Sequence, residues 1–175
     1  MSIKKILTEP NKILRQKSKN VENVNKEIQK LMDDMQETMY AAPGIGLAAI
    51  QIGVPKRVIV IDLSKEGEEK KPMFFVNPEI IFKEDENSIY EEGCLSVPGQ
   101  FAKIERPKQC RVKYLDYFGK EKILEAEGLL ATCIQHELDH LEGILFIDYL
   151  SKLKKTMIVK KLSKQQQDNI DRIVV

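Results

Sequence analysis

The sequence has 175 residues, of which 42% are hydrophobic and 31% are charged, and its formal net charge is +1. These values are ordinary for a globular protein, and we expect residues 1–175 to form one domain. A nearly neutral chain has no overall attraction to DNA or to a membrane surface, and no apolar run reaches the roughly 18 residues of a transmembrane helix. Because the three cysteines form no CxxC pair, free or metal-bound thiols in a reducing cytoplasm are favoured over a disulfide framework.

The first forty residues predict one helix after an extended start. Residues 3–20 mix apolar and basic side chains, which indicates an extended segment and a short helical turn at Asn11–Gln16. A helix is predicted over residues 24–40, with Asn25 as its N-cap. Its apolar residues recur at helical spacing at Ile28, Leu31, Met32, Met35 and Met39. A stripe of this kind is typical of core packing rather than of a cofactor site.

Residues 44–49, with the sequence G-I-G-L-A-A, match the dinucleotide-binding fingerprint G-x-G-x-x-A. That fingerprint requires a strand before it and a helix after it. Here a predicted helix precedes the glycines, and a predicted strand, Arg57–Leu63, follows them. A glycine loop that lets the backbone approach a peptide substrate therefore fits better than a nucleotide site.

The middle of the chain predicts antiparallel strands. Residues 73–77 and 79–83 are predicted as two strands broken at Asn77-Pro78. Residues 110–116 and 122–126 form a predicted hairpin. Since these strands precede a helix on one core, we predict an α+β fold. In this fold antiparallel β-sheets pack around a buried central helix, and a further helix lies at the C-terminus.

The predicted central helix, residues 128–143, has the sequence G-L-L-A-T-C-I-Q-H-E-L-D-H-L-E-G and is apolar on most sides. His136 and His140 lie one turn apart on one face, so they can bind one divalent metal ion, and Glu137 between them can act as a general base. The alternative is a helix with two incidental histidines. A buried helix with four ionisable residues is costly unless those residues have a function, which favours the metal site.

A third metal ligand must come from another residue type, because the chain has only two histidines. Metzincins place a third His six residues after the second one, but a phenylalanine occupies that place here. A downstream Glu of the thermolysin kind is missing, because no Glu follows Glu142. Asp148, Asp168 and Asp171 do follow, the last two in a polar tail. The best candidate lies upstream and is Cys94, in the segment E-G-C-L-S.

Three motifs stand in order along the chain: G-I-G-L-A-A-I-Q at residues 44–51, E-G-C-L-S at residues 92–96 and Q-H-E-L-D-H at residues 135–140. Together they resemble the peptide deformylase family, and the likeness extends over about residues 3–160. The resemblance implies an enzyme that removes the N-formyl group from the initiator methionine of nascent polypeptides and releases formate. It also implies one divalent metal ion per chain, Fe²⁺ in the cell, with Zn²⁺, Ni²⁺ or Co²⁺ as possible replacements.

The resemblance also implies roles for individual residues. The implied metal ligands are Cys94, His136 and His140. A water on the metal ion would attack the formyl carbon, and Glu137 would take its proton and return a proton to the leaving amine. The Gln51 side-chain amide and the Leu95 backbone N–H would stabilise the oxyanion. The implied substrate-binding residues are Gly44, Ile45, Gly46, Tyr90, Glu92, Gly93, Leu129, Thr132 and Cys133.

One position departs from a common form of the family. Phe101 stands where some members carry an Arg near the backbone of the substrate, so the preference beyond the first substrate residue stays open.

Two other classes of protein also stay open. A general metalloendopeptidase would need a cleft open on both sides of the scissile bond and a downstream third ligand. In a non-catalytic metal- or nucleotide-binding module, Glu137 and Gln51 would have no function.

The segment 149–167 carries six lysines and no acidic residue, and it predicts a basic C-terminal helix. Leu150, Leu153, Met157 and Ile158 recur at helical spacing, so one face can pack while the lysines face outwards. The simpler interpretation is a solvated lysine face. The functional interpretation is that the helix holds the enzyme on ribosomal RNA near the exit tunnel through salt-dependent phosphate contacts.

Overall fold

The protein, a computed structural model, is described for the backbone of residues 2–173 and the side chains of residues 2–168. The prediction of one domain over residues 1–175 therefore extends beyond the described residues. The α-helices are α1 (Lys26–Ala41), α2 (Gly128–Leu141) and α3 (Lys152–Ile173). Short 3₁₀ helices lie at Lys12–Arg15, Ala49–Ile52 and Phe146–Tyr149. Within the described range, no helix has both the length and the apolar character needed to cross a membrane.

The pairs among the seven described strands are antiparallel, as the sequence predicted, and the fold is α+β. The strands are β1 (Gly46–Ala48), β2 (Val58–Ile61), β3 (Met73–Lys83), β4 (Asn87–Cys94), β5 (Val97–Pro107), β6 (Gln109–Leu115) and β7 (Glu121–Glu127). Five of them form one sheet in the order β1-β2-β3-β6-β7, and β4 and β5 form a separate hairpin. The predicted hairpin of residues 110–116 and 122–126 is the β6-β7 pair.

Strand β2 of the larger sheet is covered by α2 on one face and by α1 on the other. Successive side chains of a strand point to opposite faces. On β2, Ile59 packs with Ile134 of α2, and the next residue, Val60, packs with Met35 of α1. Each of these four side chains is fully buried. A strand covered on both faces requires a continuous apolar run, which explains the sequence V-I-V-I of β2.

Two predicted elements differ in detail from the structure, and two observed strands, β4 and β5, were not predicted. The predicted break at Asn77-Pro78 is a bulge within one continuous strand, β3, with register shifts around these residues. Asn77 adopts a positive φ of 50°, and its side chain exchanges hydrogen bonds with the backbone of Val21, which satisfies the irregular backbone locally. The predicted glycine loop is partly ordered as β1. Strand β5 was not predicted, because its prolines and glycine are typical of loops.

The C-terminal helix α3 packs less completely than predicted. Leu162 is buried with Phe146 against β5, and Ile158 packs partly on the same cluster. By contrast, Leu153 and Met157 are 71% and 63% exposed, so the predicted packing of these two residues is wrong. The buried contacts of α3 begin about one turn later in the chain than the sequence pattern suggested.

Candidate active site

Helix α2 carries two histidines on its buried face. His136 and His140 are 9% and 1% exposed, and their ring centroids lie 5.1 Å apart. They are one helical turn apart, so both rings point to the same side. Cys94, at the end of β4, lies beside them, and its Sγ is 3.2 Å from Nε2 of His140. The possible ligand atoms of Cys94, His136 and His140 all lie within 4.8 Å of one another.

This cluster fits a divalent transition metal ion. Thiolate and neutral imidazole are the donors that such ions favour. Nδ1 of His136 lies 2.8 Å from Oε2 of Glu92. Burial alone would raise the pKa of Glu92, but hydrogen bonds from His136 and Arg106 lower it, so the carboxylate is charged and accepts the Nδ1 proton. In a neutral His136 ring this hydrogen bond keeps the proton on Nδ1 and leaves Nε2 without one, as a metal ligand must be.

Arg106, on β5, joins the carboxylates behind the histidines. Its Nε and Nη2 donate to the two oxygens of Glu92 at 2.5 and 3.0 Å, and its Nη1 donates to Asp139 at 2.8 Å. The Tyr149 hydroxyl also donates to Asp139, at 2.8 Å, and the guanidinium lies 5.0 Å from the centre of the Tyr149 ring. Arg106 is only 4% exposed, so this network holds His136 through charge-assisted hydrogen bonds in a buried setting.

Sequence reasoning did not identify Arg106. It lies on β5, a strand that was not predicted, and no local pattern links it to the metal cluster. One signal was available: Asp139 sits in the helix that was predicted to be buried, and a carboxylate in such a helix requires a partner such as a cation. The sequence does not say which of its many basic residues supplies that cation.

Glu137 lies on the same helix and is 5% exposed. Its Oε2 has no hydrogen-bond partner among the described residues. Burial raises the pKa of Glu137 to about 7, and the neighbouring His136 opposes part of this rise. The Glu137 carboxylate rests against Gly46 of β1, where a Cβ atom would overlap with it. Gly46 therefore leaves space for the Glu137 carboxylate. This contact explains the glycine at position 46 more directly than the approach of a substrate, which the sequence had suggested.

Gln51 approaches the cluster from the 3₁₀ helix that follows β1. Its Oε1 accepts the backbone N–H of Ala48 at 2.8 Å, and its Nε2 donates to Oγ of Ser96 at 3.0 Å. The same Nε2 lies 3.6 Å from Sγ of Cys94. These contacts fix which end of the amide faces the site: the oxygen is occupied, and the NH₂ group points towards Cys94. The sequence did not single out Ser96, although it belongs to the E-G-C-L-S segment.

A cavity of about 110 Å³ opens next to Cys94 and Glu137. It is lined by Ile45, Gln51, Tyr90, Glu91, Glu92, Gly93, Cys94, Leu95, Leu129, Thr132, Cys133, His136 and Glu137. A larger groove of about 670 Å³ lies beside Arg106 and Tyr149, but the metal-ligand cluster borders the smaller cavity.

The remaining predicted site residues lie directly beside this cavity. A Cβ atom on Gly44 would come within 2.7 Å of the Leu95 side chain. Gly46 contacts Glu137, and His140 contacts Cys94. The structure thus brings together every residue that the sequence selected, from three segments that are far apart in the chain.

Comparison with known proteins gives consistent matches. A family model described as polypeptide deformylase matches residues 3–156. The peptide deformylase of Pelagibacter ubique is 70% identical over 170 residues, which cover 97% of this chain and 99% of the relative. A crystal structure of peptide deformylase from Ehrlichia chaffeensis superposes with a TM-score of 0.92 at 44% identity and covers 97% of this chain and 99% of that one. The same enzyme in complex with actinonin gives a TM-score of 0.90 at 47% identity, with 94% and 98% covered.

Proposed function

Because the chain belongs to the polypeptide deformylase family of hydrolases, we propose that it removes the N-formyl group from the initiator formylmethionine of nascent polypeptides and releases formate. The observation that carries this proposal is the cluster of Cys94, His136 and His140 beside Glu137, at the mouth of a small cavity. A formylated N-terminus ends in a small group, so a small cavity with one metal site at its mouth suits it better than a long cleft that is open on both sides.

Cys94, His136 and His140 would hold one divalent ion per chain, which we propose is Fe²⁺ in the cell, with Zn²⁺, Ni²⁺ or Co²⁺ able to replace it. Such an ion, when bound, acts as a Lewis acid that makes water more acidic and polarises a carbonyl oxygen. The Cys94 thiolate contributes one negative charge, so the site keeps a net charge of +1 rather than the +2 of a three-histidine site. The side chains around the substrate must then stabilise more of the charge that develops on the carbonyl oxygen.

Glu137 takes the proton of the attacking water and delivers a proton to the leaving amine nitrogen. A group with this double role works best when its pKa is close to the pH of the reaction. Burial raises the pKa of Glu137 to about 7, which meets this condition. The unpartnered Oε2 of Glu137 in the described structure is available for that proton.

Gln51 and the backbone N–H of Leu95 stabilise the oxyanion that forms when water adds to the formyl carbon. Contacts of Gln51 with Ala48 and Ser96 hold its NH₂ group towards Cys94 before any substrate arrives. A preorganised donor costs no reorganisation during the reaction, and removing one such donor typically costs about 10²–10³ in rate.

The methionine side chain would occupy the cavity formed by Ile45, Tyr90, Leu129, Thr132 and Cys133, together with Glu92 and Gly93. β1 pairs with β2 on one side only among the described strands. The backbone around Gly44–Leu47, on the other edge of β1, can pair with the substrate backbone as an added strand. Recognition would then combine main-chain hydrogen bonds with one pocket for an unbranched side chain.

The substrate exists on chains that leave the ribosome, so we place the reaction in the cytoplasm, near the exit tunnel. Helix α3 supports this location because Lys152, Lys154, Lys160, Lys161 and Lys164 are exposed on it. Lys155 is different: it is half-buried and pairs with Asp148 at 2.5 Å. The exposed lysines can contact RNA phosphates without disturbing the packing of the helix.

The test is formate release from formyl-Met-Ala-Ser by the metal-loaded protein under anaerobic conditions. We expect formate and free Met-Ala-Ser in equal amounts, and no cleavage of casein in the same conditions. Casein cleavage without formate release would overturn the proposal in favour of a general metalloendopeptidase. Absence of both activities in a protein that holds stoichiometric metal would favour a binding module.

A further inference from the structure

A groove of about 740 Å³ lies between β5 and α3 and is lined by residues 100–103, Leu150, Lys154, Met157, Ile158 and Lys161. The four residues from α3 are spaced i, i+3, i+4 and i+7, so they share one face of the helix. The four residues from β5 are consecutive, so they come from both faces of the strand. Among the described strands β5 pairs only with β4, and the groove therefore follows its unpaired edge. Such an edge can accept an extended chain as an added strand.

The side chains along this groove are apolar or basic. Phe101 and Met157 are 68% and 63% exposed, and large apolar side chains that line one groove mark a binding surface. The charged residues that line the groove are Lys103, Lys154 and Lys161, all exposed, and no acidic residue of the described chain lines it. Glu91, opposite Lys103 in the β4-β5 pair, lines the catalytic cavity instead. The groove is therefore complementary to a segment with apolar and acidic side chains.

Phe101 connects this groove with the catalytic cavity. It lies opposite Gly93 in the β4-β5 pair, and a Cβ atom on Gly93 would come within 2.5 Å of the Phe101 ring. Gly93 lines the catalytic cavity of about 110 Å³, whereas Phe101 lines the groove. The groove thus begins beside the cavity, and a chain whose first residue occupies the cavity can continue along β5.

We propose that the groove between β5 and α3 binds the substrate chain downstream of its formylmethionine and favours segments with apolar and acidic side chains. This inference rests on the proposed function. Apolar side chains of the substrate would cover Phe101 and Met157, and acidic ones would face the three lysines. These contacts are far from the reacting bond and are equally strong in the ground state and the transition state. They therefore lower KM and leave kcat unchanged.

The test compares kcat/KM at low salt for two amidated peptides, formyl-Met-Ala-Ser-Leu-Asp-Leu-Asp and formyl-Met-Ala-Ser-Leu-Lys-Leu-Lys. We expect the wild type to favour the acidic peptide about tenfold, through KM rather than kcat. Combining Lys154→Glu with Lys161→Glu should abolish this preference. Combining Lys152→Glu with Lys160→Glu is the matched control. It makes the same change of charge at exposed positions of α3 that do not line the groove, and the preference should remain.

Met157→Ser tests the apolar part of the groove, with formyl-Met-Ala-Ser-Ser-Asp-Ser-Asp as the comparison peptide. The preference for the leucine-containing acidic peptide over this serine peptide should fall about threefold in the variant, because less apolar surface is buried. Leu153→Ser is the control: Leu153 is 71% exposed and does not line the groove, so the preference should stay as in the wild type.

Equal kcat/KM values of the wild type for the acidic and the basic peptide would overturn the inference. An equal loss of preference in both lysine variants would also overturn it, because the overall charge would then be responsible. If the variant at residues 154 and 161 keeps the peptide preference but loses ribosome binding, this face of α3 contacts RNA and the inference is wrong. Failure of the wild type to release formate from any formyl peptide would instead refute the proposed function, so the two failures are distinguishable.

Discussion

Helices α2 and α3 both pack against β5, but α2 buries its ionisable side chains and α3 exposes most of them. α2 buries His136, Glu137 and His140. α3 keeps most of its lysines exposed to solvent. A buried ionisable group is costly unless it has a partner or a chemical task, whereas an exposed lysine is solvated at little cost. The chemistry of α2 therefore constrains the function strongly, and the charge on α3 constrains it weakly. Substitutions on the two helices should reproduce this difference.

The largest effect is expected at Glu137. Glu137→Ala should lower kcat by about 10²–10⁴, because general acid–base catalysis contributes that much, and the variant should keep its metal ion. The measurement is kcat on formyl-Met-Ala-Ser together with metal content per chain. Glu127→Ala, an exposed position just before the same helix, is the control and should leave kcat unchanged. A Glu137→Ala variant with bound metal and kcat within tenfold of the wild type would exclude the proposed role.

The next effect is expected at Cys94, the one proposed metal ligand outside α2. Cys94→Ala should weaken metal retention severely, because two histidines alone make an incomplete site. Cys94→Asp should bind zinc with reduced activity, since a carboxylate is a harder ligand. Metal content after dialysis against a weak chelator is the measurement. Cys110→Ala, a buried thiol on β6 outside the site, should retain metal fully. Tight stoichiometric iron in Cys94→Ala would contradict the assignment.

A third substitution tests the buried network behind His136. Arg106→Met should lower the free energy of unfolding by about 3–5 kcal/mol, because it leaves the Glu92 and Asp139 carboxylates without their cation. Arg111→Met on β6, the next strand along the chain, is the control: Arg111 pairs with Glu125 at 2.7 Å, but both side chains are largely exposed. Its expected loss is about 0–1 kcal/mol. Urea denaturation at a fixed metal content measures the free energy of unfolding of both variants. Equal losses in the two variants would show that burial does not make Arg106 more important for stability than Arg111.

These three residues also show how far the sequence could predict the site. Glu137 was predictable because its neighbours in the helix define its place. Cys94 was selected because the chain has no third histidine and no glutamate after Glu142, and because the resemblance to the family implies a cysteine ligand at this position. Arg106 could not be selected, because its partners lie 14 and 33 residues away and meet it only in the folded chain. Strand β5, which carries it, contains residues that are typical of loops, and only its pairing with β4 makes it a strand.

The fold was predictable to a similar extent. Alternation and β-branched runs indicated β2, β6 and β7, and the helical stripe indicated α1, with Asn25 capping it through Ile28 N–H at 3.1 Å. The bulge at Asn77 was not predictable as a bulge, because its backbone conformation depends on hydrogen bonds to Val21, 56 residues away. Local sequence patterns thus indicated most helices and strands, whereas the backbone conformation at irregular positions such as Asn77 depends on long-range contacts.

A smaller effect is expected at Ser96, which is fully buried and orients Gln51 through the hydrogen bond at 3.0 Å. Ser96→Ala should lower kcat about tenfold with little change of KM, because it loosens an oxyanion donor without removing it. Metal content should stay unchanged. Ser18→Ala is the control, since Ser18 is also buried but its hydroxyl has no partner in the described chain. Wild-type kcat in Ser96→Ala would mean that Ala48 alone holds the Gln51 amide in place.

The smallest effect on turnover is expected on α3. The variant replaces four exposed lysines with glutamine, namely Lys154, Lys160, Lys161 and Lys164. Lys155 is left in place because it pairs with Asp148, which in turn binds Arg15 at 2.6 Å, so its loss could disturb the fold. Turnover of formyl-Met-Ala-Ser should be nearly unchanged, because these side chains lie outside the catalytic cavity. Co-sedimentation with ribosomes at low salt should weaken, and the slope of binding against salt concentration should become shallower.

The control for α3 replaces four exposed lysines elsewhere with glutamine, namely Lys5, Lys65, Lys120 and Lys122. This variant carries the same change of net charge, so it separates a local contact from a general electrostatic attraction. If only the α3 variant loses ribosome binding, the helix carries the contact. If both variants lose it equally, the overall charge of the protein is responsible. Equal ribosome binding by the α3 variant and the wild type across a salt series would show that the α3 lysines do not contact the ribosome. The charges of α3 would then have no role in ribosome binding, in contrast to the buried ionisable residues of α2, which have roles in the proposed reaction.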